Sequence, residues 1–352
     1  MKRWLFLFLL IAAALPNLCV AQIGGEATFA FLNLASSPRA AALGGKIAAF
    51  DEHDASLVVH NPALLSADMH NHLSFAYVGF LADVKYGSAS YSRSLGRMGN
   101  ASIGFQRVGY DDFDASDVSG SITGTFGASE TVANVSYSYA FDSLFTAGVT
   151  AKSIFSSLEQ YSAFGLAADI GVAYRSRNGL FSAGLVLRNM GSMLKPYTPG
   201  NYEPIPLDVV GGISYKLQHA PFRFVVTLHQ LHNWNLWYER QEEEDAFGLS
   251  DNNRPSAVER FGNELLSHVV FGVEFTPVRG FYLRGGYNYQ RRNELRVEEK
   301  VGAVGFSWGV GVKISKFNIS YSRAYYHLAG GSSHFSISTN LSTFARNKRV
   351  SS

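Results

Sequence analysis

Hydrophobic and polar residues alternate with a period of two along most of the chain after residue 72. Ala133, Val135 and Tyr137 fall on one face of an extended segment, while Asn134 falls on the other. A strand with this pattern has one face for lipid or a core and one face for water. The alternation recurs toward the C-terminus and predicts an all-β fold.

The alternating segments predict about 14 strands, an even number, as in bacterial membrane barrels. They span residues 72–80, 83–93, 100–107, 131–141, 144–156, 161–175, 180–188, 207–217, 222–231, 268–276, 281–290, 300–314, 317–326 and 334–342. A soluble sandwich shows the same alternation, so the strands alone do not decide the architecture.

The connections between the predicted strands do decide it. Even-numbered connections are short, such as 142–143 and 315–316, whereas the odd-numbered set includes 108–130, 189–206 and 232–267. Outer-membrane barrels have short periplasmic turns and longer external loops, and a sandwich has no reason to sort its loops in this way. The sequence therefore predicts a 14-stranded antiparallel transmembrane β-barrel.

Two external segments have structure of their own. Residues 119–126 show some alternation, but a fifteenth strand would break the even count, so we assign them to a structured external loop. Residues 256–266 are predicted as a short helix, because Pro255 and Ser256 make a suitable helix start and Glu259 follows three residues after the cap.

Charged residues in the external connections are candidate binding residues. Glu242, Glu243 and Glu244 form an acidic run that fits either a solvated loop or a docking surface for a partner. Arg291 and Arg292 stand at the outer end of a predicted strand. Guanidinium binds phosphate bidentately, so these arginines fit pairing with lipopolysaccharide, and simple snorkelling at a membrane rim is the alternative.

The start of the chain predicts export. A basic start, an apolar stretch and a small residue at the cut indicate a secretory signal peptide over residues 1–21, cleaved after Ala21. Cys19 permits an alternative, a lipid-anchored cysteine, but that processing needs a small residue where Leu18 stands. Because Cys19 is the only cysteine, cleavage after Ala21 leaves no disulfide or thiolate metal site.

Composition agrees with a membrane barrel. The chain is 47% hydrophobic, 14% aromatic and 16% charged, with 34 glycines. No apolar run after residue 21 approaches the roughly 20 residues that a membrane helix needs. The net charge of +2 is too small to argue for a nucleic-acid partner.

Residues 22–71 have neither barrel alternation nor the polarity of a disordered tail. Small residues at 40–45 allow close packing, and Asn61 and Pro62 mark a turn that leads into Ala63. We expect this stretch to fold back as a hatch that plugs the barrel lumen. The predicted organisation is signal peptide 1–21, hatch 22–71, barrel 72–344 and short C-terminal tail 345–352.

Several stretches resemble a known family. SSPRAAALGG, an acidic stretch and NPALLS together look like the hatch of FadL-like barrels, most closely the type IX secretion proteins called PorV and PorQ. GYNYQRRNELRVEE and YHLAGGSSHFSISTNLSTF are more similar to PorQ than to PorV. The resemblance spans essentially the whole mature chain, although the NPA turn of Asn61, Pro62 and Ala63 is shared by many FadL-like proteins.

The resemblance implies a FadL-like barrel in the outer membrane of a Gram-negative bacterium. It further implies an anchor in a surface attachment complex, where a PorQ-like barrel holds a PorZ-like protein beside a PorU-like sortase and a PorV-like barrel. That complex joins cargo to lipopolysaccharide. Two alternatives stay open: a FadL-like channel for hydrophobic small molecules, suggested by the hatch and the NPA turn, and a plain structural porin.

Catalytic and metal motifs are missing from the sequence. Histidines and carboxylates in or beside the hatch fit no metal-ligand spacing, and polar contacts inside the lumen are the alternative. These residues are His53, His60, His70, His72, Asp51, Glu52 and Asp54. Because no GxSxG elbow is present either, we expect no enzyme activity, no metal and no cofactor.

Overall fold

The computed structural model describes residues 27–345, apart from 51, 53, 81–82, 118, 120, 235, 237–256, 296–301 and 328–329. Within these residues, fourteen antiparallel strands pair in sequence order, and the first pairs with the last, so the sheet is a closed barrel. The strands are β1 (His72–Gly79), β2 (Lys85–Ser94), β3 (Asn100–Ser116), β4 (Ile122–Ala140), β5 (Phe145–Leu158), β6 (Tyr161–Arg175), β7 (Phe181–Lys195), β8 (Asp208–Lys216), β9 (Phe222–Leu228), β10 (Val269–Val278), β11 (Phe281–Asn288), β12 (Phe306–Ile314), β13 (Phe317–His327) and β14 (Gly330–Asn340). The predicted 14-stranded antiparallel barrel is confirmed.

The alternation in the sequence becomes the two faces of the barrel wall. In β4, Val132 and Asn134 point inward and are buried, whereas Val135 and Tyr137 are 59% and 39% exposed on the outside. Closing the barrel pairs the first strand with the last. A lipid environment requires this pairing because it offers no water to hydrogen-bond unpaired backbone groups. The wall therefore presents apolar side chains outward and mostly polar ones inward.

Aromatic residues mark the height of the outward apolar band. Phe145 packs against Tyr174 at one end of β5, and Phe155 packs against Phe164 at the other end. Phe155 follows Phe145 by ten residues, which is about 33 Å of strand. At a tilt of about 45° this gives a height of roughly 23 Å, close to the band of about 25 Å that membrane barrels show. The exposed Val149 lies in the middle of this band.

The connections assign the two ends of the barrel. Those between β2 and β3, β4 and β5, β6 and β7, β8 and β9, β10 and β11, and β12 and β13 are short, whereas the opposite end carries the connections 196–207, 229–268 and 289–305. Long connections face the exterior in barrels of the outer-membrane type. The end of β5 at Leu158 is therefore the outer end.

The prediction of an external loop at residues 119–126 is wrong for most of this segment. β3 continues to Ser116, β4 already begins at Ile122, and Phe113 lies opposite Phe126 in the ladder. Pairing the two segments satisfies their backbone groups beyond the membrane. The hairpin lengthens two existing strands rather than adding a fifteenth, so the even count is kept.

Helices are short and lie before, between or after the strands. The α-helices are α1 (Pro38–Ala42), α2 (Ala257–Ser267), α3 (Tyr289–Leu295) and α4 (Ser342–Ala345), and the 3₁₀-helices are Ala30–Asn33, Ala55–Leu57, Pro62–Leu64, Ala67–Met69 and Gly96–Met98. The helix predicted at 256–266 is confirmed as α2. In the described parts of the chain, no helix combines the length and the apolar character needed to span a membrane. The predicted signal peptide and tail residues 346–352 lie outside the described residues.

The depth assignment makes a prediction about charge on the outer face. Val149→Arg places a cation in the middle of the apolar band and is expected to cost about 2–4 kcal/mol of unfolding free energy, whereas Ser157→Arg, beyond the band, should cost about 0–1 kcal/mol. Denaturant unfolding of the protein in lipid vesicles measures both values. Equal costs at the two positions would contradict the assigned membrane depth.

Candidate functional site

The described residues before β1 lie inside the barrel. Helix α1 contacts β11, β12, β13 and β14, while the turn Pro62–Leu64 contacts β4, β5 and β6. A segment that touches opposite sides of a closed barrel lies within it. We call residues 27–71 the inner segment.

Glycines in the wall allow the inner segment to approach closely. A Cβ atom on Gly148 would lie 2.4 Å from the carbonyl carbon of Pro62, and one on Gly171 would lie 2.0 Å from Asn61 Oδ1. On the other side of the barrel, a Cβ on Gly286 would lie 2.3 Å from the Gly44 nitrogen. Side chains at these wall positions would collide with the backbone or the turn of the inner segment.

The predicted turn at Asn61 and Pro62 is fully enclosed. Asn61 Oδ1 accepts a hydrogen bond from the Ala63 amide at 2.9 Å, and Asn61 Nδ2 donates to the Ala48 carbonyl at 2.8 Å. Asn61 is an N-cap, with Pro62 in the first position of the 3₁₀-helix that follows. The asparagine thus ties two parts of the inner segment together where it meets β5 and β6.

A cluster of ion pairs joins the inner segment to the wall. The guanidinium of Arg39 lies 2.9 Å from Glu52 and 3.3 Å from Asp54, both on the inner segment, and 3.9 Å from Glu274 on β10. The Arg39 charge and the hydrogen bonds from Ser56 outweigh burial, which opposes ionisation, and they keep the pKa of Asp54 below its ordinary value. The four charged groups therefore form one cluster of ion pairs.

The wall completes this cluster with two further arginines. Arg223, Glu274 and Arg284 lie directly opposite one another on β9, β10 and β11. Arg284 Nε donates to Glu274 at 2.7 Å, and Arg223 lies 3.5 Å from Glu52. We call Arg39, Glu52, Asp54 and these three residues the Arg39 network; its three arginines balance three carboxylates, as burial of charge requires.

A second set of charges crosses the interior on the β5 to β8 side. Lys46 of the inner segment lies 2.6 Å from Asp208 on β8, and Lys152 on β5 lies 2.7 Å from Asp169 on β6. Arg188 on β7 donates to the carbonyl of Leu32 in the inner segment at 3.2 Å. Both sides of the barrel therefore hold the inner segment through charged groups.

His60 lies in this second charged region without a partner. It is 2% exposed, and neither ring nitrogen has a hydrogen-bond partner within the described residues. Burial and the charges of Arg188, Lys46 and Lys152 lower the pKa of His60 well below its ordinary value. The ring is therefore neutral at physiological pH.

Toward the outer end, the interior becomes apolar. Phe29, Phe31 and Leu32 of the inner segment pack against inward-facing residues of the wall. We call this cluster the apolar layer; its other members are Val78, Tyr86, Val108, Val132, Ile154, Ala163, Ala167, Met193 and Ile205. The interior thus has an apolar layer at its outer end, charged groups below this layer, and a second buried apolar cluster around Leu43, Ile47 and Phe50.

The external candidate residues fall into two groups. Glu242, Glu243 and Glu244 lie outside the described residues. β11 ends at Asn288, and Arg291 and Arg292 stand just beyond it on α3. Asn288 Oδ1 accepts from the Arg291 amide and supports the start of this helix.

Both of these arginines make contacts within the protein. The Arg291 guanidinium lies 4.1 Å from the ring centroid of Tyr326. Arg292 donates to the carbonyl of Gly302 and, at 3.4 Å, to that of Val304. Their predicted pairing with lipopolysaccharide stays a prediction.

The histidines and carboxylates near the hatch form no metal centre within the described residues, where no group of three potential ligands has the required geometry. Asp51 and His53 lie outside these residues. Glu52 and Asp54 pair with Arg39 instead.

Sequence analysis did not single out the buried charges of the wall. A signal was present, because Lys152 and Asp169 occupy inward positions of predicted strands, where a single charge among small polar residues stands out. These two residues pair with each other across neighbouring strands, whereas Asp208 pairs with Lys46, far away in the chain, and that pairing could not be read from the sequence.

Comparisons with known proteins show the fold. No family model and no curated protein matches the chain. The solved structure of the toluene transporter TbuX from Ralstonia pickettii aligns at 14% identity over 88% of this chain and 99% of that chain, with a TM-score of 0.51. The toluene transporter TodX from Pseudomonas putida aligns at 12% identity over 87% and 96%, also with a TM-score of 0.51. The chain has the fold of these barrels.

The enclosed turn makes a prediction about the rigidity of the inner segment. Asn61→Ala leaves the Ala63 amide and the Ala48 carbonyl without their partner, at a cost of about 1–3 kcal/mol. Hydrogen exchange of the Ala63 amide should therefore accelerate by about tenfold or more. Asn178→Ala, in a periplasmic turn, is the control and should leave that amide unchanged. Equal exchange in Asn61→Ala and wild type would show that the turn is held by other contacts.

His60 makes the stability depend on pH. In the unfolded chain it takes up a proton below about pH 6.5, while in the folded protein it stays neutral, so acid favours the unfolded state. Wild type should lose up to about 1.4 kcal/mol per pH unit below that value through His60, and His60→Leu should lack this contribution. Unfolding of both proteins at pH 7 and pH 5.5 measures the difference. His219→Leu, at an exposed turn, should keep the wild-type slope, and an unchanged slope in His60→Leu would refute the assignment.

Proposed function

We propose that the protein is an outer-membrane channel for apolar small molecules and that the inner segment is its hatch. The observation that carries this proposal is the apolar layer at the outer end of the interior. The fold shared with the toluene transporters TbuX and TodX supports it. On this proposal the chain has no catalytic role.

The apolar layer has the chemistry of a compartment for hydrocarbon. Apolar solutes leave water for an apolar surrounding, with a gain of about 25 cal/mol per Å² of buried surface. Phe29, Phe31 and Leu32 now fill the compartment, so an entering solute must displace them. A plain porin, by contrast, needs an open polar channel, and the packed interior argues against it.

The contacts of the inner segment differ along its length. Thr28 bonds through its amide to the Pro204 carbonyl at 3.1 Å, and Leu32 accepts from Arg188. The later part is held by the Arg39 network and by Lys46. Movement of residues 27–34 alone therefore opens the apolar layer at the cost of the contacts with Pro204, Glu203 and Arg188, and it leaves the Arg39 network and the Lys46–Asp208 pair in place.

Uptake of a labelled hydrocarbon tests the channel. A strain that lacks the protein should take up labelled toluene more slowly than the wild type, and the cloned gene should restore the rate. The double variant Phe29→Ala and Phe31→Ala should raise the rate further, by a few-fold, because the compartment is emptied of two rings; Phe113→Ala, on the external hairpin, is the control. An unchanged rate in the deletion strain would exclude the channel.

A second candidate is the anchor for a surface complex implied by the resemblance to PorQ. Helix α2 on the external side exposes Val258, Phe261 and Leu265 by 80%, 56% and 41%. Their spacing places them on one helix face, and an exposed apolar face favours a protein partner. PorZ-like, PorU-like and PorV-like proteins are the proposed partners, with lipopolysaccharide as the acceptor of cargo.

Co-purification from mild detergent tests the anchor. Wild type should retain a surface protein, and the double variant Val258→Ser and Phe261→Ser should lose it, because the apolar contact is removed. Phe113→Ser is the matched control. Retention of the same proteins by the double variant would mean that α2 is not the docking surface, and absence of any partner from wild type would refute the anchor.

A further inference from the structure

The outer face of the wall carries an ordered row of side chains across five adjacent strands. Arg107, Thr131, Phe155, Phe164 and Lys195 lie directly opposite one another on β3, β4, β5, β6 and β7. Two aromatic rings thus occupy the centre of the row, near a threonine, and a cation stands at each end. The ring centroids of the two phenylalanines are 4.8 Å apart.

A row of hydroxyl groups lies one step closer to the exterior. Ser129, Ser157 and Ser162 are opposite one another on β4, β5 and β6. Lys195 Nζ donates to Ser162 Oγ at 2.6 Å, and this hydrogen bond turns the lysine toward the centre of the two rows. These serines and the five residues of the first row line one cavity of about 370 Å³.

The cavity lies at the level where acyl chains meet headgroups. Phe155 and Phe164 form the outer boundary of the apolar band, about 23 Å above Phe145 by strand rise and tilt. Below them the outer face is aliphatic, with Val135, Leu166 and Ile170 exposed. A lipid can therefore place its chains on this face and its headgroup in the cavity.

The charges of the cavity select an anion. Its lining residues include two cationic side chains, several hydroxyl groups and no carboxylate. The backbones of Arg107 and Lys195 are four strand spacings apart, or about 19 Å. Their long basic side chains reach toward each other from the two ends of the row and suit the phosphate groups of one phosphorylated sugar. Basic side chains that only snorkel would each extend separately into water, whereas Arg107 and Lys195 line the same cavity.

We propose that this cavity binds the phosphorylated headgroup of a glycolipid of the outer leaflet. Arg107 and Lys195 bind its phosphate groups, the serines bind sugar hydroxyls, and Phe155 and Phe164 contact the sugar and the first methylenes of the chains. The site is separate from Arg291 and Arg292, and it does not depend on the channel or the anchor.

Binding of purified lipopolysaccharide to the full-length protein in mild detergent tests the site. Native mass spectrometry measures the bound fraction over a concentration series. The double variant Arg107→Ser and Lys195→Ser should weaken binding by tenfold or more, and Lys216→Ser, a cation at the opposite end of the barrel, should match wild type. Arg107→Gln alone should weaken binding several-fold and serves if the double variant fails to fold. The proposal is overturned if the double variant or Arg107→Gln binds lipopolysaccharide as tightly as wild type does.

Two further arms test the ligand chemistry. Lipopolysaccharide treated with phosphatase should bind wild type about as weakly as the intact lipid binds the double variant. Inorganic phosphate at millimolar concentration should not displace the intact lipid, because it lacks chains and sugar. Full displacement by inorganic phosphate, or equal binding of the dephosphorylated lipid, would overturn the assignment to a phosphorylated glycolipid.

Discussion

The ion pairs between the inner segment and the wall are the constraint on which the rest of the structure depends. Glu274 faces the barrel interior, where an unpaired charge costs several kcal/mol. It is paired by Arg284 from the wall, lies opposite Arg223 on the neighbouring strand and is approached by Arg39 from α1. Asp208 depends on Lys46 in the same way. The wall therefore needs the inner segment for its charge balance, and the segment needs the wall for burial.

The layered interior follows from this arrangement. Charged contacts hold the middle of the inner segment, and wall glycines such as Gly148 and Gly286 bring its backbone against the strands. Its first described residues instead place Phe29 and Phe31 in the apolar layer. Our proposal of a channel for apolar molecules uses this difference: the part that fills the apolar compartment is held by few polar contacts.

The sequence predicts the structure best where residues close together in the chain determine the local structure. The strand at 161–175 was predicted with the bounds that β6 has, because its alternation is regular and turns flank it. Residues 119–126 were misassigned because the pairing of β3 with β4 beyond the membrane obeys no lipid constraint. The pairing of Arg39 with Glu274 had no local signal, since residues distant in the chain meet only after the barrel closes.

Ion conductance in planar lipid bilayers tests most directly whether the inner segment closes the barrel. With the inner segment as the proposed hatch, we expect almost no steady conductance for wild type, because the Arg39 network and the apolar layer would together close the lumen. We also expect intermittent openings for Arg39→Gln, in which the charge that joins the inner segment to Glu274 is removed. A steady, porin-like conductance of the wild-type protein would contradict the account.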